Sequence, residues 1–153
     1  MRPILILGLG YPLQGDDGVG CYIAEQLMQR ELPDEVEAMD GGTPGIGLLN
    51  LFEGRTRVII IDAAEMSAAP GEWKRFRAQE VALTGSAERI SLHRSGVADA
   101  LALARGLDMP LPEIVFYGIQ PLRVDWGQTL SEPVQAAVSL VMDAILKEVF
   151  IKR

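Results

Sequence analysis

Four apolar runs constrain this chain more than any other feature. Ile4 to Leu9 is followed by Gly10, Val36 to Met39 by Asp40, the wholly β-branched Val58 to Ile61 by Asp62, and Ile114 to Tyr117 by Gly118. A strand with one wet face alternates apolar and polar residues. Continuous apolarity marks strands covered on both faces, as in a parallel sheet between helical layers. A further segment, Glu72 to Arg77, reads as a strand at the sheet edge.

Helical periodicity lies between these runs. Val19, Ile23 and Leu27 recur four apart, with Glu25, Gln26 and Gln29 on other faces. Ile46, Leu48, Leu49 and Phe52 suggest a short second helix. Gly96 to Ala104 follows Ser95, a residue suited to an N-cap. A last helix begins near Ser131 with Pro133 in its first turn, and Val134, Val138, Val141 and Ile145 mark its buried face. Strand and helix alternate, so the expected fold is α/β, with helices on both faces of a mostly parallel sheet. No repeat or linker divides the chain, and its 153 residues suffice for one domain with its own core. The loosest stretches are Ser67 to Gly71 and the connection from Arg105 to Pro112.

Composition excludes several classes of function. The formal net charge is −7, so a phosphate backbone is repelled on average, and no basic run interleaved with aromatics appears. Nucleic acid is not an expected partner. No apolar run approaches membrane-spanning length, and no membrane partner is expected. The apolar start runs into a glycine turn without a small-residue cleavage site, which reads as a core strand rather than an export signal. Cys21 is the single cysteine, so an internal disulfide and a thiolate metal cage are both impossible. It falls in a helical pattern and reads as a small buried residue. A cytoplasmic protein acting as a monomer is the expectation.

The first turn, GLGYPLQGDDGVG from Gly8 to Gly20, invites a nucleotide-binding reading and fails it. The dinucleotide fingerprint requires a glycine where Leu13 stands. Gly10 to Gly15 has the spacing of a phosphate-binding loop, but Asp16 and Asp17 follow where Lys and Ser/Thr belong. One aspartate at a helix start is an ordinary cap. Two are more than a helix start needs: Asp16 is expected to cap, leaving Asp17 free to project. Gly18 and Gly20 leave room beside it for another chain to approach.

Ligands of parallel sheets bind at the carboxyl ends of the strands. Asp17 follows the first strand, Asp40 ends the second and opens Gly41-Gly42-Thr43, and Asp62 ends the third. Each also has an ordinary reading as a cap or a loop hydrogen-bond acceptor. His93, the only histidine, lies in ISLHRSG just before a helix pattern. Alone it would be an ordinary packed or surface residue. With acids gathered at one sheet edge it is a candidate metal ligand, because two carboxylates and an imidazole leave coordination positions open. There is no HExxH, no GxSxG elbow and no second histidine for a zinc protease site. Ser95, two residues from His93, does not by itself make a triad.

Five fragments in order carry a resemblance. GLGYPLQGDDGVG, DGGTPG, VIIIDA, ISLHRSGVADAL and YGIQP together resemble the hydrogenase maturation endopeptidases, which process the large subunit of nickel-iron hydrogenases. The resemblance spans nearly the whole chain. It implies a three-layer α/β/α sandwich around a twisted, mixed sheet of about five strands. It also implies removal of a short C-terminal extension from the large-subunit precursor after nickel insertion. The family's nickel-binding residues, which are also its expected catalytic set, map onto Asp17, Asp62 and His93. Nickel is then brought by the substrate. Asp40, Gly41, Gly42 and Thr43 are the expected substrate-binding residues, with the scissile peptide along the Gly41 to Gly45 loop. One position departs: the family usually has asparagine after Gly-x-Gly, where this chain has Tyr11 followed by Pro12. That change leaves the three ligands in place and bears on substrate preference.

Two chemical schemes are open. The metal could polarise a carbonyl or activate water, or it could position the chain while a carboxylate acts as base. Two alternatives of other classes stand beside them. A non-catalytic nickel metallochaperone would bind nickel without shortening a precursor. A receiver-like phosphoacceptor domain would share the acid pair and the strand-end aspartate, but needs a lysine where Gly118-Ile119-Gln120-Pro121 stands.

Overall fold

The four apolar runs become the four parallel strands of one sheet in the computed structural model, which describes residues 1–78, 96–127 and 129–151. Among these residues the elements follow as β1 (Ile4–Leu9), α1 (Val19–Met28), β2 (Val36–Gly42), α2 (Leu48–Phe52), β3 (Arg57–Ala63), β4 (Trp73–Arg77), α3 (Val97–Gly106), β5 (Glu113–Ile119) and α4 (Glu132–Ile151). Short 3-10 turns, Gly15–Gly18 and Gly45–Gly47, lead into α1 and α2. The strand order is β2-β1-β3-β5-β4. Neighbours run parallel except β4, which pairs antiparallel with β5 at one edge. The expected edge strand is therefore present, one residue shorter at its start.

Alternation across the pleat divides the core in two. Ile59, Ile61, Val115 and Tyr117 pack with Val19, Ile23 and Leu27 of α1 and with Val134, Val138, Val141 and Ile145 of α4. Val58, Ile60, Ile114 and Phe116 pack on the other face with Leu48 and Phe52 of α2 and with Val97, Ala100 and Leu101 of α3. Both faces are covered, which is why the strands read as unbroken apolar runs. In α2, Leu48 and Phe52 are buried while Ile46 of the preceding turn is exposed.

Three local expectations change. Neither the 3-10 turn Gly15–Gly18 nor α1 has a side-chain cap; Asp16 is engaged elsewhere. The N-cap of α3 is Gly96, in a left-handed conformation, rather than Ser95, which lies outside the described residues. The supposedly loose stretch from Ser67 to Gly71 is tied down. Gln120 Oε1 accepts the amides of Met66 and Ala68 at 2.7 and 3.2 Å, and Gly71 N donates to Gln120 O at 2.8 Å. A single buried amide side chain satisfies a loop that composition alone describes as punctuated and polar.

Away from the carboxyl edge, Glu148 of α4 accepts from Arg57, Arg75 and the Tyr117 hydroxyl. Burial opposes its ionisation, but the bonds from Arg75 and Tyr117 and the charge of Arg57 outweigh that and hold its carboxyl below the ordinary value. Burial and the Glu148 carboxylate push the Tyr117 phenol up.

Candidate active site

The site is built where α1 closes on the strand ends. A Cβ on Gly20 would lie 2.2 Å from Ile61 O and 2.5 Å from Leu9 O. Only glycine lets the first turn of α1 meet β1 and β3 this closely. The chain that approaches Gly20 is thus the protein's own sheet, and Gly18 is likewise filled, by Pro12. Upstream, Gly10 adopts φ +133°, with Asp17 O 2.0 Å from where its Cβ would be. The opening loop therefore turns back over its own start, carrying Asp17 over the end of β1.

Asp17 is 1% exposed. Its Oδ2 accepts the Tyr11 backbone N–H at 2.9 Å, and its Oδ1 is buried with no hydrogen-bond partner among the described residues. A buried carboxylate oxygen without a donor is costly, so such an atom calls for an explanation. A cavity of about 370 Å³ opens beside it, lined by Tyr11, Gln14, Asp17 and Thr43. The structure thus brings Asp17 together with Thr43 of the second loop.

Asp62 is 2% exposed and faces Gly118 across β3 and β5, one position beyond the Gly8–Ile61 pair. The 3-10 turn bearing Asp17 packs against β3, so both acids lie at the carboxyl edge. Asp40 lies opposite Gly8 at the same edge. It is exposed, and its Oδ1 accepts the Gly42 N–H at 3.1 Å, an Asx turn that shapes the second loop. It also meets α1: burial raises the Glu25 carboxyl, and hydrogen bonding to Asp40 raises it further. Cys21 is buried and free, as expected. Burial pushes its thiol up, and the Asp40 carboxylate adds to the shift, which favours the thiol over the thiolate.

His93 lies outside the described residues. Among those described, no three His, Cys, Asp or Glu side chains converge on a common metal position. Gly96 packs on the second loop, with Gly45 Cα 2.8 Å from where its Cβ would be.

Sequence reasoning missed the work of Asp16. Fully buried, its carboxylate accepts the amides of Leu122, Arg123 and Ser131 at 2.8, 3.2 and 2.7 Å and the Ser131 hydroxyl at 2.7 Å. Burial opposes its ionisation, but these four donors prevail and lower its pKa. Gln120 was missed as well, although it stands inside a recognised fragment. Both act on partners more than fifty positions away, which a single sequence does not disclose.

The fold is that of an α/β protein whose Asp17, Asp40 and Asp62 gather at the carboxyl ends of its strands, the edge where such sheets take ligands. A family model described as hydrogenase maturation protease matches residues 21–148. The chain is 42% identical over 135 residues to the hydrogenase expression/formation protein HupM of Azotobacter chroococcum, covering 87% of this chain and 65% of that protein. It therefore spans just under two thirds of that relative's length. Its structure matches the hydrogenase maturating endopeptidase HybD from E. coli with a TM-score of 0.83 and 34% identity, over 99% of this chain and 93% of that one. It also matches the [NiFe] hydrogenase maturation protease HybD from Thermococcus kodakarensis, with a TM-score of 0.77 and 32% identity, over 97% and 99% of the two chains. The chain belongs to the hydrogenase maturation protease family, whose members are hydrolases. No helix among the described residues is long and apolar enough to cross a membrane.

Proposed function

We propose that this protein is the endopeptidase that removes the C-terminal extension of a [NiFe] hydrogenase large-subunit precursor after nickel insertion, recognising the nickel that the precursor carries. The observation that carries the reading is the buried Asp17 Oδ1, without a donor, beside the cavity that Asp17 shares with Thr43. An unsatisfied carboxylate oxygen at an acidic sheet edge suits a cation delivered from outside. Asp62 at the same edge and His93 complete the proposed ligand set. Gly96, at the start of α3, packs on Gly45 of the second loop.

In this reading the precursor's nickel docks against Asp17, Asp62 and His93, and its tail lies along Gly41 to Gly45, with Asp40, Gly42 and Thr43 as further contacts. The backbone of this loop is shaped by the Asp40 turn, so it presents main-chain groups to an extended peptide. Hydrolysis then follows either Lewis-acid activation by the substrate's nickel or carboxylate base catalysis on a positioned peptide. The protein works as a monomer in the cytoplasm.

Intact-mass measurement of a nickel-loaded precursor, incubated with the native protein and with Asp17→Ala or His93→Ala, tests this. Loss of the extension with the native protein alone is the expected result. Unchanged processing by either variant would sink the assignment, and nickel uptake without any mass loss would favour a metallochaperone.

A further inference from the structure

The segment after β5 holds the most exposed aromatic side chain among the described residues, and the reaction as proposed does not use it. Trp126 is 72% exposed, and Leu122 on the same segment is 51% exposed. Single exposed apolar side chains are ordinary on a soluble protein. What distinguishes this pair is how their backbone is held. Asp16 accepts the Leu122 and Arg123 amides, while Asp16 N donates to Arg123 O at 3.0 Å. Next to Trp126, Gly127 N donates to Leu13 O at 2.8 Å and Gly127 O accepts Gly15 N at 2.7 Å, so Gly127 bridges to Gln14 as a strand partner would. Gln14 and Asp17 both line the cavity, beside the Asp17 Oδ1 that has no donor among the described residues. The opening loop therefore carries the site on one side and the Trp126 segment on the other.

We propose that Trp126, with Leu122, is the docking anchor for the folded body of the large-subunit precursor, and that Asp16 is a positioning residue locking this anchor to the opening loop. The inference rests on the proposed reaction. A protein whose tail enters the cavity must bring its adjoining surface against the rim, and the Trp126 segment is bonded directly to that rim. Exposed aromatics on a rigid backbone suit interface anchors: they present a large apolar area and little backbone freedom is lost on binding. The surface on the precursor is accordingly an apolar patch or pocket outside the removed tail. The Asp16 carboxylate, buried with four donors, ties the backbone on both sides of Trp126 to the opening loop.

The test compares the native protein with Trp126→Ser and Trp126→Phe on a nickel-loaded large-subunit precursor from the same genome. Direct binding and steady-state processing are measured in parallel. Trp126→Ser is expected to weaken binding and raise KM by about tenfold or more, with kcat within about twofold, and Trp126→Phe to recover most of the loss. Unchanged binding and KM in Trp126→Ser would overturn the proposal. So would a fall in kcat at constant KM, or a native dimer that Trp126→Ser dissociates without any effect on precursor binding. If the native protein binds the precursor but does not cut it, the proposed reaction fails, and the binding comparison still decides the role of Trp126.

Discussion

Tyr11 holds the Asp17 carboxylate with its main chain: the Tyr11 amide donates to Asp17 Oδ2 at 2.9 Å. Orientation of the carboxylate therefore does not depend on which side chain stands at position 11. The Tyr11 side chain, 40% exposed, belongs to a residue that lines the cavity, so it is placed to affect what enters. Tyr11→Asn, the residue usual in the family, is expected to keep kcat on the cognate precursor within about threefold. It should also change the relative KM for precursors that differ beside the scissile bond. Kinetics on two such precursors check this; a collapse of kcat on both would show that the side chain also holds Asp17.

Asp17 itself should show opposite effects on stability and activity. Its Oδ1 is buried without a donor among the described residues, a desolvation cost that no hydrogen bond offsets when no cation is present. Asp17→Asn keeps an oxygen for the Tyr11 amide and removes the charge. Its unfolding free energy in the absence of precursor is expected to be unchanged or higher by about 1 kcal/mol. Processing of nickel-loaded precursor should fall on the order of 100-fold or more. Urea unfolding and intact-mass kinetics are the two measurements, and a variant that is both less stable and fully active would contradict the placement.

Much of this was legible because the fold depends on patterns with short range. The runs at Ile4, Val58 and Ile114 are continuous because each strand meets helices on both faces, and the carboxyl ends of β1, β2 and β3 locate Asp17, Asp40 and Asp62 on one edge. The family resemblance, carried by five ordered fragments, named the chemistry that pattern alone left open. What was misread depends on contacts distant in sequence. Asp16 looked like a cap because caps are local; its actual partners, Leu122, Arg123 and Ser131, lie over a hundred positions on. Ser67 to Gly71 looked loose because the tie that holds it comes from Gln120 on another strand. Gly20 looked like room for a visitor, whereas the space is taken by Ile61 and Leu9.

Acid should loosen the molecule at two depressed carboxyls. Glu148, held below 4.5, and Asp16, held below 3.8, bind protons more readily when unfolded than when folded. Their stabilisation is therefore complete above those ordinary values and is lost as pH falls through the lower folded ones. Unfolding free energy measured between pH 7 and pH 3 is expected to decline at the acid end. Glu148→Gln should flatten part of that decline. At neutral pH it should cost about 3 kcal/mol, because the buried Arg57 guanidinium loses the nearer of its two carboxylate partners, Glu113 remaining at 3.4 Å. In a chain of this size that corresponds to a drop of about 6–12 °C in Tm. Processing below the lowered Tm should be unaffected, since Glu148 meets the first residue of β3 rather than its carboxyl end.

Gly20→Ala tests the closure on which the site depends. Helix propensity alone would favour alanine by about 1 kcal/mol, and Gly47→Ala, with no heavy atom within 4 Å of the new carbon, shows what alanine does where space is free. At Gly20 the carbon would lie 2.2 Å from Ile61 O and 2.5 Å from Leu9 O. Both are backbone atoms of packed strands and cannot turn aside. Helix α1 must lift from the strand ends, and Asp17, three residues before Gly20, moves with it. The expected cost is about 2–3 kcal/mol or more, with processing lost even at temperatures where the variant is folded. Thermal unfolding together with single-turnover processing well below the variant's Tm separates the two effects. Full activity in the folded variant would mean that the spacing between α1 and β3 does not set the geometry of Asp17 and Asp62.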